Sequence, residues 1–206
     1  MRAVLLVAAA YLLGSIPFGV LVTRVLAGKD VRSVGSGNIG ASNVTRAAGK
    51  AAGLVTLLLD AAKAAVPMIV ALHLVAPRGR EAAEAWAVAI GLAAFLGHLY
   101  PIWLGFRGGK GVATALGVFA VLAPIPAAVG VAAFVAALGL TRVPAVGSLT
   151  GTAICCFGTF VHVVLEQGAG WWRSPVPWAG VVVSVLIGAR HRSNIERLLR
   201  GTEHKV

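Results

Sequence analysis

The sequence is short of charge, and most of all of negative charge. Only 12% of its 206 residues are charged, with 7 acidic residues against 18 basic ones. A soluble domain is about a quarter charged. This scarcity, with 58% hydrophobic residues and a mean hydropathy of +0.88, excludes an ordinary soluble domain. There are 2 cysteines, Cys155 and Cys156, adjacent within an apolar run. Neighbouring cysteines rarely bridge each other and nothing gathers a metal cluster around them, so they read as small packing residues. No G-x-S-x-G nucleophile motif occurs. No internal repeat or low-complexity linker divides the chain, which reads as one domain over 1–206 that needs no metal or other cofactor. Arg2 before an apolar stretch mimics a signal peptide, but no small-residue cleavage site follows, and a retained first span is expected. The net charge of +11 would suggest nucleic acid in a soluble protein. Here the anionic bilayer surface and an anionic substrate account for it, and no nucleic acid is expected.

What the chain has in quantity is apolar length. Seven segments read as spans: about 3–23, 52–75, 82–103, 111–124, 126–140, 146–166 and 176–189. A full crossing takes about 20 residues. The fourth and fifth are therefore short, either two abbreviated spans or a re-entrant pair turning at Ala123-Pro124-Ile125-Pro126. If 111–140 were one long kinked helix, every later loop would change sides. Charge decides between these. With the N-terminus outside, thirteen basic residues fall on one side: Arg24, Lys29, Arg32, Arg46, Lys50, Arg107, Lys110, Arg142, Arg190, Arg192, Arg197, Arg200 and Lys205. The other side keeps four, Arg2, Arg78, Arg80 and Arg173, and Lys63 lies inside a span. That bias puts the first group and the C-terminus in the cytoplasm. The expected fold is an all-α polytopic membrane protein. It has seven transmembrane helices, some short, with cytoplasmic-face loops and a C-terminal amphipathic helix.

Three of those loops carry chemistry. In the first, Gly35-Ser36-Gly37-Asn38-Ile39-Gly40 fits the dinucleotide pattern G-x-G-x-x-G, but that pattern has meaning only between a strand and a helix. The polar run Ser36, Asn38, Ser42, Asn43, Thr45 and Arg46 is instead rich in groups for holding a ligand. In the second, Phe106-Arg107-Gly108-Gly109-Lys110-Gly111 is not a Walker A motif, because Gly111 follows the lysine. Glycines before a helix are expected to present free N–H groups at its positive end, and Lys110 adds a cation able to reach a phosphoryl oxygen. His98 and Pro101, just before, read as packing residues, and His73 and His162 have no evident partner. In the tail, Ile195, Leu198 and Leu199 share one helical face, with Arg192, Arg197 and Arg200 elsewhere, as in an interfacial helix on anionic lipid. His191 and Asn194 lie on one face. Glu196 follows His191 by five, about 140° around a helix, so the two are not a catalytic dyad. Asp60 and Lys63, one turn apart inside a span, admit two readings, a mutual pair or support for the site.

Together these loops resemble the acyl-phosphate-dependent glycerol-3-phosphate acyltransferases of bacterial phospholipid synthesis. The resemblance extends over nearly the whole chain, from Gly14-Ser15-Ile16-Pro17-Phe18-Gly19 through the three loops. It implies a seven-span enzyme of the bacterial inner membrane, working at its cytoplasmic face and taking acyl phosphate and glycerol 3-phosphate as substrates. By position, Ser36, Arg46 and Lys110 match family residues that hold phosphate, and His191 and Asn194 match tail residues needed at the active site. Arg142 and Ser148 are retained from an R-Y-V-S-L-A-S-like segment, while Ala145 stands where the family has its first serine. The expected catalytic set is His191, Lys110, Arg46 and Asn194. Substrate binding is expected to add Ser36, Gly37, Asn38, Ser42, Asn43, Gly108, Gly109, Arg142 and Ser148, in a monomer bound to the bilayer. A transporter of phosphate or of an organic phosphate is the main alternative, favoured by the short spans and the Asp60–Lys63 pair. A non-catalytic lipid-binding scaffold and an acyl-CoA-dependent acyltransferase are the others.

Overall fold

A computed structural model describes residues 2–75 and 79–205, and every regular element among them is helical. Arg78, one of the four basic residues assigned to the outer side, lies outside the described residues. The chain forms two compact units, residues 1–118 and 119–206.

The first unit holds α1 (Arg2–Gly14), α2 (Phe18–Ala27), α3 (Ala41–Ala48), α4 (Lys50–Val75), α5 (Arg80–Leu99) and the start of α6 (Val112–Leu122). The expected first span is a broken helix that runs on to Ala27. Pro17 has no N–H to continue the ladder, so α1 ends at Gly14 and α2 starts after the proline. Glycine sets the helix crossings, because small residues let backbones approach closely in a membrane. A Cβ at Gly14 would collide with the Ala94 carbonyl, and one at Gly97 with the Tyr11 carbonyl, which fixes α1 on α5. Gly117 of α6 sits in the same way on the Ala61 carbonyl of α4. The polar run after α2 is not a loop throughout. A 3₁₀ turn occupies Val31–Ser33, and Ser42, Asn43, Thr45 and Arg46 lie on α3, an eight-residue helix ended by Gly49 at φ +91°.

The second unit holds the rest of α6, then α7 (Pro124–Thr141), α8 (Pro144–Gln167), α9 (Pro175–Arg190) and α10 (Arg192–Leu199). Gly130 and Gly151 close α7 onto α8. A Cβ on Gly130 would lie 2.6 Å from the Cβ of Cys155, whose small side chain fills that crossing. Both cysteines are free thiols and buried. Between α8 and α9, Trp171 meets Phe160 edge-on at 5.0 Å and stacks on Trp178 at 6.0 Å, while Trp178 Nε1 donates to the Trp172 carbonyl. Such a cluster suits a membrane–water interface.

Among the described residues, five segments are long and apolar enough to cross a bilayer: Val4–Ala27, Lys50–Leu74, Glu81–Leu104, Pro124–Thr141 and Pro144–Arg173. Val112–Leu122 and Pro175–Arg190 are apolar but shorter. At 1.5 Å per residue α6 is about 16 Å long, roughly half a hydrocarbon core. The 111–140 region is two helices, parted at Ala123 by the proline pair that follows.

Candidate active site

The segment from Asp30 to Gly49 is polar above and apolar below. Val31, Ile39 and Val44 are buried with Val20, Val22 and Ala52, and Leu104 packs against the same cluster. Those apolar anchors hold α3 and the turns before it against α2 and α4. Asn43, buried at 2% exposure, organises the rest. Its Nδ2 donates to the carbonyls of Val31, Val34 and Asn38, each at 2.9 Å, and its Oδ1 accepts the Ser36 N–H at 3.1 Å. The amide of Asn43 is therefore consumed by the backbone, and this residue shapes the loop rather than facing a ligand. Asn38 Oδ1 likewise accepts the Gly40 N–H at 2.8 Å.

Around this clasp Ser36, Gly37, Ser42 and Arg46 are exposed. Gly35, at φ +54°, has no room for a side chain: a Cβ would lie 2.6 Å from Asn43 Oδ1 and 3.6 Å from the Arg46 Cδ. Arg46 thus crosses over a glycine, and its guanidinium makes no ion pair among the described residues. Arg32 does: hydrogen bonds from its guanidinium and backbone N–H hold the Asp30 carboxyl well below the usual carboxylate range. The same contact raises Arg32. Of the two arginines, Arg46 is the one left for an anion.

The second loop departs from expectation in one respect. The Gly108 and Gly109 N–H groups are not open to a ligand, because they donate to the Leu99 and His98 carbonyls at 3.2 and 3.0 Å. These glycines are required by crowding instead. A Cβ on Gly108 would strike the His98 carbonyl and Pro101, and one on Gly109 the His98 ring. Lys110, half-buried, follows directly and precedes the first turn of α6. His98 is thus the seat of the loop, and it stands within a buried group with Asp60 and Lys63.

In the second unit Arg142 is exposed in the left-handed region at φ +57°, capping α7 through its N–H to the Leu138 carbonyl. Ser148 is half-buried in the first turns of α8, and Ala145 is buried in that helix. His191 lies at the joint of α9 and α10, buried, where its Nδ1 donates to the Ile187 carbonyl at 2.8 Å. That bond places the lone pair of the neutral ring on Nε2. Asn194, also buried, donates to Glu203 Oε1 at 2.7 Å, while Arg197 Nε donates to Glu203 Oε2 at 2.7 Å. Glu203 is a residue that the sequence did not single out. Glu196 pairs with Arg192, one turn away, and not with His191.

Fold and loops together define an all-helical integral membrane protein with cationic, glycine-seated segments suited to phosphate. The comparisons with known proteins narrow this further. The family model described as glycerol-3-phosphate acyltransferase matches residues 4–201. The glycerol-3-phosphate acyltransferase of Anaeromyxobacter dehalogenans (strain 2CP-C) is 58% identical over 201 residues, 98% of this chain and 96% of the relative. That of Myxococcus xanthus (strain DK1622) is 48% identical over 97% of each chain. The crystal structure of PlsY, an integral membrane glycerol 3-phosphate acyltransferase, in its glycerol 3-phosphate form superposes with a TM-score of 0.86 at 39% identity. The match covers 100% of this chain and 96% of that one. Its lysophosphatidic acid form gives 0.82 at 38% identity. The chain belongs to the glycerol-3-phosphate acyltransferase family and is a multi-pass membrane protein.

Proposed function

We propose that this protein transfers a fatty acyl group from acyl phosphate to the 1-hydroxyl of glycerol 3-phosphate, at the cytoplasmic face of a bacterial inner membrane. The products are lysophosphatidate and inorganic phosphate. The glycerol oxygen attacks the acyl carbonyl carbon, the carbon–oxygen bond to phosphate breaks, and the phosphate leaves with the bonding electrons. Acyl phosphate is already activated, so the protein's task is orientation and stabilisation of developing charge. Ser36, Arg46 and Lys110 hold phosphate, and Arg142 contributes a further cation. Asn43, Gly108 and Gly109 serve by shaping the backbone that carries those groups. His191, with Nδ1 fixed by the Ile187 carbonyl, offers Nε2 to the substrate hydroxyl proton. Asn194, held by Glu203, orients the glycerol phosphate.

The observation that carries this reading is the loop around Asn43, which leaves Ser36 and the unpaired Arg46 exposed on one buried clasp, in a chain of this family. The deciding experiment is acyl transfer to labelled glycerol 3-phosphate by purified protein in detergent, with acyl phosphate and acyl-CoA as donors. Lysophosphatidate from acyl phosphate alone is expected. Transfer from acyl-CoA alone would overturn the choice of donor. An acylated residue trapped by mass spectrometry would overturn direct transfer.

A further inference from the structure

Three ionisable side chains meet inside the first unit, away from the exposed loop residues. Asp60 and Lys63 lie one turn apart on α4, His98 ends α5, and none of the three exceeds 7% exposure. A lone ammonium in a membrane interior is costly. Here Lys63 donates to the Ile16 carbonyl at 3.0 Å, lies 2.9 Å from His98 Nδ1 and forms an ion pair with Asp60 Oδ1 at 2.7 Å. An ammonium only donates, so Nδ1 of His98 is the acceptor and the ring proton sits on Nε2. Asp60 Oδ1 is farther from Nδ1, at 3.5 Å, in keeping with that assignment. The opposite edge of the ring faces the second loop. A Cβ on Gly109 would strike Nε2, Cε1 and Cδ2 of His98, while the Gly109 N–H donates to the carbonyl of the same residue.

We propose that His98 is a positioning residue for acyl transfer. Lys63 holds it as the Nε2–H imidazole, its ring and carbonyl together seat Gly108-Gly109, and the seat sets where Lys110 projects. His98 acts only through the loop and touches no substrate. The inference rests on the role given to Lys110 under the proposed function. It differs from plain packing in one respect: it needs the Nε2 edge of the ring as well as its bulk.

Two substitutions separate the edges of the ring. His98→Asn keeps an acceptor near the Nδ1 position for Lys63 and removes the Nε2 edge. His98→Gln carries an N–H out to the Nε2 position. In detergent-purified protein with glycerol 3-phosphate varied, His98→Asn is expected to raise KM about tenfold, the scale of one misplaced hydrogen-bonding group. Its kcat should change less than about threefold. His98→Gln should recover most of the lost affinity. Thermal unfolding checks that both variants are folded. Asp60→Leu combined with Lys63→Met removes the pair without stranding one charge, and should reproduce the KM change of His98→Asn.

Nitrogen-15 spectra of histidine-labelled parent protein read the tautomer directly, and Nε2-protonated His98 is expected. A KM in folded His98→Asn equal to the parent value would overturn the proposal, as would an Nδ1-protonated His98. If the parent transfers no acyl group from any donor, the proposed function fails by itself. The inference is then decided by the tautomer and by the backbone amide signals of residues 108–111. Those signals must shift in His98→Asn more than in His98→Gln, and equal shifts would overturn it.

Discussion

Asn43 shows how much one side chain can organise without touching a ligand. Removing it takes a bond from the Asn38 carbonyl and the Ser36 N–H, and a second bond from the Val31 and Val34 carbonyls, which keep the Val34 and Gly37 N–H groups. A group left unsatisfied costs about 1–3 kcal/mol. Asn43→Ala is therefore expected to lower the thermal unfolding midpoint and to raise KM for glycerol 3-phosphate together. Asn43→Asp, though nearly the same shape, should be no better, because it sets a carboxylate against three carbonyl oxygens. An Asp variant as stable as the parent would remove Asn43 from this role. Arg142 allows a second test, because a non-glycine residue in the left-handed region costs about 1–2 kcal/mol. Arg142→Gly should exceed Arg142→Ala in stability by about 1 kcal/mol, while both lose the cation and both slow acyl transfer. Ser36, Arg46 and Lys110 draw notice in the sequence because they stand in basic, glycine-rich segments of an otherwise apolar chain, and the family resemblance supplies their expected role. Asn43 and Glu203 were not legible in their present roles. Their bonds join positions 5–12 and 6–9 residues apart, and no helical or strand spacing predicts such partners.

At the scale of elements, the apolar runs gave away the helices, because a bilayer admits little else. What they concealed were the interruptions. The break at Ser15–Pro17 falls inside continuous apolar sequence, and α3 hides inside a segment rich in turn-forming residues. The glycines at crossings were likewise visible as composition but silent as to partner. Gly97 is a sharp case, since its neighbours are the Tyr11 carbonyl and, at 2.9 Å from an added Cβ, the backbone nitrogen of Ser15, neither of which can rotate away. Gly97→Val should destabilise the protein by about 3 kcal/mol or more, the upper range for overpacking. Gly139, with nothing within 4 Å, should accept valine without loss, since valine is a better helix former than glycine. Thermal unfolding of both variants in the same detergent compares them. Equal midpoints would mean that α1 and α5 are not locked at this crossing.

For the whole molecule, the distribution of charge sets a testable orientation. The charge bias predicts an outer N-terminus and a cytoplasmic C-terminus. Cysteine labelling tests this, because the two native thiols are buried and can be removed as Cys155→Ala with Cys156→Ala. In that background Ser36→Cys and Thr202→Cys should react with a membrane-impermeant maleimide in inverted vesicles and stay unlabelled in intact spheroplasts. Labelling of Ser36→Cys from outside would reverse the assigned faces. Labelling of the two from opposite sides would mean that an odd number of crossings separates them, contrary to the parity assumed for α6 and α7.

The interruption at Pro17 has a bearing on engineering. Proline inside a helix ordinarily costs about 3 kcal/mol against alanine, so exchanging it for alanine looks like a repair. In this chain the gap between α1 and α2 releases the Ile16 oxygen from helical pairing, and that oxygen takes one of the protons of Lys63. A continuous helix would reclaim the oxygen for the N–H of residue 20 and leave a cation short of a neighbour in the least forgiving part of the bilayer. Pro17→Ala should therefore melt at a lower temperature than the parent, and the apparent repair would be an injury.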